Sequence, residues 1–219
     1  MSLKERYEKV IDRCPKRTCL IAVSKTRTID EIKQVQALGQ IAFGENRVQE
    51  LLEKSQKLKN VEWHFIGHLQ SNKINQLLSV ENLVSIHSVD SLSLLKKILK
   101  KECSQKMGLF LQINTSKERE KGGFDSEDIN ELNEAISLIR RHPSFFLEGL
   151  MTIGKVRTEN FSQDAKNCFE LLNEIKTKLD KDHSLNLKLS MGMSQDYEIA
   201  IEMGSDYIRV GSHIFGERV

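Results

Sequence analysis

Residues 20–45 read LIAVSKTRTIDEIKQVQALGQIAFGE. An apolar run, LIAVS at 20–24, gives way to a polar turn, then to helical periodicity in IKQVQAL at 32–38, and then to a second apolar run, IAFGE at 41–45. Thr28 and Glu31 stand at the spacing of a capping box, where each side chain satisfies the other's backbone N–H, so the helix starts there. A strand, a helix and a second strand this close together form a βαβ unit. Its strands are parallel and its crossover is right-handed.

The same alternation continues outward. Further apolar runs lie at 62–67 (EWHFIG), 83–89 (LVSIHSV), 108–114 (GLFLQIN), 146–153 (FLEGLMTI), 185–191 (LNLKLSM) and 206–211 (DYIRVG). Helical segments separate them, one of which begins at Asn46 and Gln49 ahead of VQELLEK. Eight parallel strands can close on themselves, whereas an open doubly wound sheet normally uses five or six. The expected fold is α/β, a single (β/α)8 TIM barrel. At 219 residues, with two prolines (Pro15, Pro143) and no low-complexity stretch, residues 1–219 read as one domain.

Composition narrows the function classes. Lys+Arg number 33 against Asp+Glu 31, a net charge of +2, and no run of five like charges marks a nucleic-acid or anionic-membrane surface. The N-terminal MSLKERYEKVIDRC lacks the apolar centre of a signal peptide, and no later stretch is long and apolar enough for a membrane span, so a cytoplasmic protein is expected. Cys14, Cys19, Cys103 and Cys168 are scattered, as reduced thiols are, without the spacing of a disulfide frame or zinc site. His64 and His68 fall on a strand and its loop rather than on one helix, so they read as core or rim histidines and no metal is expected. Patterns of the GxGxxG, GxxxxGK[ST] and GxSxG types are absent.

In a barrel the chemistry belongs at the C-terminal ends of the strands. Lys25 ends the first strand and shares a face with Ile21 and Val23, which directs it to the barrel mouth. Burial there favours a neutral amine able to attack an aldehyde, although a lysine at a strand end also reaches solvent easily. Gly192, Ser194, Gly211 and Ser212 follow strands seven and eight, where barrels commonly hold a phosphate, though glycines also simply make turns. Arg209 shares parity with Tyr207 and Gly211 and projects inward, where a buried guanidinium needs a partner such as Glu45 or a bound ligand. Asn46 reads as a helix cap first and a ligand contact second.

Taken together, AVSKT, FGENRVQE, WHFIGHLQSNK, INTSKEREKGGF, GLMTIG and LSMGMSQDYEIAIEMGSDYIRVGSHIFGER resemble the pyridoxal phosphate homeostasis protein family, in order from about Ile21 to Arg218. The resemblance implies a barrel similar to the N-terminal domain of alanine racemase, with pyridoxal 5′-phosphate (PLP) held as a Schiff base on Lys25. It implies phosphate contacts from Ser194 and the Gly211–Ser212 turn, Arg209 as the partner of the pyridine nitrogen, and Asn46 as a pocket residue. It further implies a role in vitamin B6 homeostasis, with PLP-dependent apoenzymes as partners. An arginine donating to the ring nitrogen disfavours its protonation and weakens the ring as an electron sink.

The alternative is a PLP-dependent amino-acid racemase. Racemases of the similar fold obtain a second acid/base with help from an added β domain and a partner subunit, whereas this chain ends at Val219 and its three tyrosines, Tyr7, Tyr197 and Tyr207, lie in no added domain. A monomer without catalytic residues is therefore expected. Whether Lys121 offers a secondary site stays open.

Overall fold

The computed structural model describes residues 1–118, 120–155 and 158–217. Its strands are β1 (Cys19–Val23), β2 (Ala42–Glu45), β3 (Glu62–Phe65), β4 (Leu83–Val89), β5 (Met107–Asn114), the two-residue β6 (Phe124–Asp125), β7 (Phe145–Met151), β8 (Lys188–Met193) and β9 (Tyr207–Val210). The pairing runs β1-β2-β3-β4-β5-β7-β8-β9 and back to β1, parallel throughout, with β6 attached to the end of β5 outside the ring. The expected closed (β/α)8 barrel is the observed one.

The eight expected runs coincide with the barrel strands, with one displacement. The seventh lies at Lys188–Met193 rather than 185–191, so SMGM belongs to the strand and Ser194 alone of that motif follows it. One element precedes the pattern. Helix α1 (Leu3–Ile11) has its own capping box from Ser2 and Glu5 and buries Tyr7 and Val10. Arg6 Nε donates to the carbonyl oxygen of Ile214 at 2.8 Å, which ties α1 to the terminal helix α9 (Ser212–Phe215). The helices between are α2 (Ile29–Ala37), α3 (Val48–Lys57), α4 (Ile74–Leu78), α5 (Leu92–Ile98), α6 (Ile129–Arg140), α7 (Phe161–His183) and α8 (Tyr197–Glu202). At the start of α2, Glu31 N–H donates to Thr28 Oγ1 at 3.2 Å and Thr28 N–H to Glu31 Oε2 at 2.8 Å.

Strand alternation sorts the core into two parts. Leu20, Ala22, Phe43, Trp63, Phe65, Leu109, Leu111, Ile208 and Val210 face the helices and join one continuous hydrophobic cluster. The opposite face fills the barrel. Rings of His64 on β3, His87 on β4, Phe110 on β5 and Tyr207 on β9 meet there, with His87 stacked on Phe110 at 4.1 Å between centroids. Four strands can bring their rings into contact only if all four side chains point at the axis.

All four cysteines carry free thiols. Among the described residues no helix is long and apolar enough to cross a membrane, and no cluster of His, Cys, Asp and Glu could hold a metal ion.

The ring leaves little slack where β7 meets β8. A Cβ at Gly149 would sit 2.0 Å from the carbonyl oxygen of Lys188 and 2.8 Å from the Phe110 ring. Gly149→Ala is expected to lose about 1–3 kcal/mol of stability as the strands part, read from urea unfolding followed by circular dichroism.

Candidate functional site

A cavity of about 190 Å³ opens at the C-terminal ends of β1, β2, β3, β7, β8 and β9. Lys25, Asn46, Ser194, Arg209, Gly211 and Ser212 all line it. The sequence reading therefore found a set of residues that the fold does bring together. Val23, Ile66, Ile153 and Met193 supply apolar wall.

Asn46 is not the cap of α3. That position is taken by Arg47, which makes no side-chain capping bond, and Gln49 donates instead to Glu53. Asn46 lines the cavity, and its Oδ1 is buried without a hydrogen-bond partner. A residue where a strand meets a helix can serve either purpose, and here the next loop passes close beside its backbone. A Cβ at Gly67 would lie 2.1 Å from the Asn46 carbonyl oxygen, so the backbones nearly touch.

Arg209 is 4% exposed and does project inward, but Glu45 is not its partner. Glu45 Oε1 accepts from Lys54 Nζ at 2.7 Å and from Ser24 Oγ at 2.7 Å. Arg209 Nη1 donates to Ser190 Oγ at 2.7 Å and Nη2 to the Thr152 carbonyl oxygen at 2.8 Å. Burial pulls its pKa down to about 10, opposed by the charge of Asp196, so the guanidinium stays protonated at neutral pH.

From this anchor a chain of hydrogen-bonded side chains runs through the barrel interior. Ser190 Oγ accepts from Arg209 Nη1 and is hydrogen-bonded to His87 Nδ1 at 2.8 Å. His87 Nε2 lies 3.2 Å from His64 Nδ1, which is also hydrogen-bonded to Ser85 Oγ at 2.7 Å. The other ring nitrogen of His64, Nε2, is buried without a partner. Burial pushes the His64 pKa down to about 3, and that of His87 well below its ordinary value by burial and by the neighbouring His64 and Arg209. The expectation of a core histidine holds for His64. His68 is the exposed rim residue, bonded to Asp90 at 3.0 Å.

The last two strand ends approach each other through Ser194 Oγ, which accepts the Gly211 N–H at 3.2 Å. Gly211 also fits closely over β1, since a Cβ there would meet the Val23 carbonyl oxygen at 3.2 Å. Gly192 does something else: at φ +92 it lets α8 approach, where a Cβ would stand 2.5 Å from that of Ala200, and it does not line the cavity. Arg27 and Gly216 are wall residues that the sequence reading missed. Arg27 Nη2 donates to the Gly216 carbonyl oxygen, and its guanidinium lies 5.8 Å from the centre of the Phe215 ring. A second cation two residues after Lys25 was visible, but a loop has no period to fix its direction. Lys121 donates to the Gly154 carbonyl oxygen at 2.8 Å and is not a wall residue. Arg218, which ends the quoted motif, and Arg119 lie outside the described residues.

A closed parallel barrel whose mouth gathers a lysine, an arginine and a turn of small residues defines a small-ligand-binding (β/α)8 protein. The profile of the family described as "Alanine racemase, N-terminal domain" matches residues 1–219. Curated relatives called pyridoxal phosphate homeostasis protein include one from Homo sapiens, 37% identical over 99% of this chain and 84% of its own, and one from Aquifex aeolicus, 37% identical over 98% and 94%. PipY of Synechococcus elongatus, solved with PLP bound, superposes with a TM-score of 0.86 at 32% identity, over 98% of this chain and all of that one. The chain belongs to the pyridoxal phosphate homeostasis protein family. Alanine racemase from Corynebacterium glutamicum shares the fold, with a TM-score of 0.76 at 14% identity over 97% of this chain and 59% of that enzyme.

The buried histidines make stability depend on pH. At and above neutral pH both are neutral in folded and unfolded chains. Below 6.5 the unfolded chain takes up protons that the folded one refuses, and stability falls as pH drops towards about 3. Glu45 and Asp196, whose carboxyl pKa values burial raises, act in the opposite sense nearer the carboxylate range. Between pH of about 7.5 and about 5.5 the two histidines are expected to cost about 2–3 kcal/mol. Urea titrations at both pH values should show the loss in the natural chain and a flatter response in His64→Gln/His87→Gln.

Proposed function

We propose that this chain holds pyridoxal 5′-phosphate in the barrel-mouth cavity, joined to Lys25 as a Schiff base, and keeps and releases it in vitamin B6 homeostasis without turning over a substrate. The observation that carries the reading is the convergence of Lys25, Arg209, Asn46 and the small residues Ser194, Gly211 and Ser212 on one cavity. The Asn46 amide carries both a donor and an acceptor, which suits a hydroxyl-bearing pyridine ring. The PLP bound in PipY and the names of the curated relatives support the same cofactor.

Bound there, the cofactor supplies an aldehyde carbon: the Lys25 amine condenses with it, the C=O bond is exchanged for C=N, and one water leaves, with no oxidant or reductant required. Ser194, Gly211 and Ser212 hold the phosphate, small enough to let backbone come close. Arg209, pinned by Ser190 and Thr152, donates to the ring nitrogen and keeps that nitrogen unprotonated. The cavity wall, among the described residues, offers no tyrosine, histidine, cysteine or carboxylate as a second acid/base opposite Lys25. A site so furnished suits storage and delivery to apoenzymes.

Adding PLP to the purified protein is expected to raise a visible band, and borohydride followed by peptide mapping is expected to leave the label on Lys25. Lys25→Ala should stay folded and lose that label; a label retained elsewhere overturns the choice of lysine, and a protein that never colours overturns the cofactor. Chiral analysis after incubation with a panel of amino acids should show unchanged enantiomers, whereas interconversion would establish a racemase.

A further inference from the structure

We propose that Glu50 and Lys54 of α3 are positioning residues for Lys25: they clamp the strained turn on which it sits and so set how its amine enters the cavity. The inference rests on the reading of Lys25 as the cofactor lysine.

The residues on either side of Lys25 are held from the same helix. Lys54 Nζ donates to the Ser24 carbonyl oxygen at 2.8 Å, and Thr26 N–H donates to Glu50 Oε2 at 2.8 Å. The Arg27 N–H returns to the Ser24 carbonyl oxygen at 3.0 Å, which closes the turn with Lys25 and Thr26 at its corner. Thr26 has φ +64, in the left-handed region that a β-branched residue avoids, so this corner needs outside restraint to persist.

The restraint is an ionic one built in the interior. Lys54, 7% exposed, bridges Glu45 at 2.7 Å and Glu50 at 3.2 Å, and Glu45, fully buried, also takes the Ser24 hydroxyl at 2.7 Å. Burying such a group costs more than a surface pair returns, so stability alone is a poor account of it. Glu45, Glu50 and Lys54 do not line the cavity, and their reach to it runs through Ser24 and Thr26. Helix α3 has its own apolar anchorage in Val48 and Leu51, and Glu50 keeps 23% of its side chain exposed, so Glu50 can be changed without dismantling the helix.

The test compares Glu50→Ala, Glu50→Gln and Glu45→Gln/Lys54→Met, the last removing both buried charges together, with the natural chain and Lys25→Ala. PLP affinity and the pH midpoint of the visible band are read by absorbance titration, attachment by borohydride trapping, and folding by urea unfolding. Glu50→Ala and the double variant are expected to bind PLP about fivefold or more weakly and to shift the pH midpoint. Glu50→Gln, which keeps an oxygen for the Thr26 N–H, should stay within about twofold of the natural chain. Unchanged affinity and midpoint in Glu50→Ala, or equal damage in Glu50→Gln, overturns the clamp through Glu50. An unchanged double variant overturns the part of Lys54. Either result with the label lost in Lys25→Ala leaves the cofactor lysine standing, whereas a label surviving in Lys25→Ala overturns that reading instead.

Discussion

Everything at the barrel mouth depends on the pairing of the first strand with the last. β1 lies against β9 with Cys19 opposite Tyr207 and Ala22 opposite Val210. Closure removes the two edges that an open parallel sheet would expose, and it places the residues that leave β1 beside those that leave β9. Lys25 and the Gly211–Ser212 turn, from opposite ends of the chain, thereby share one wall. The fit of Gly211 over Val23 shows how tight the juxtaposition is, since even a methyl group would press on the β1 backbone.

Closure also creates an interior that side chains must fill, and this chain fills its upper part with polar groups. An arginine, two serines and two histidines there would be expensive without partners. Hydrogen bonds that run from Arg209 through Ser190 and His87 to His64 and Ser85 satisfy them in sequence. The cost collects at the end of the chain, on the unpartnered Nε2 of His64. The apolar cluster between strands and helices supplies the stability that tolerates it.

The fold was legible because barrel strands are short apolar runs and the helices between them announce themselves by period and cap, as Thr28 and Glu31 do. Strand parity also aimed Arg209 inward, since alternation is geometric and needs no knowledge of neighbours. Lys25, expected to end the first strand, lies two residues past β1 in a turn, so its place at the cavity comes from that turn and not from parity. What parity cannot give is the partner. Arg209 meets Ser190 and Thr152 rather than Glu45 because β8 and the end of β7 pass beside β9, a fact of tertiary register. Nothing in VQELLEK sets Lys54 apart from the other polar residues of that helix, yet it turns inward to Glu45. Helix α1 went unread because nothing before the first strand belongs to the β/α alternation. The roles of Ser194 and Asn46 came from the family resemblance, since small or amide residues in loops serve turns and caps equally well.

The proposed storage role agrees with the acid/base character of the groups around the cavity. A site that turns over amino acids must move protons to and from carbon, which requires groups whose pKa lies near the working pH. Here the guanidinium below the cavity remains charged, and the histidines behind it are driven far towards the neutral form by burial. Neither is poised to exchange a proton near neutral pH. The burial that holds Arg209 in place also leaves the histidines behind it far from a working pKa, which supports the proposed storage role over a racemase.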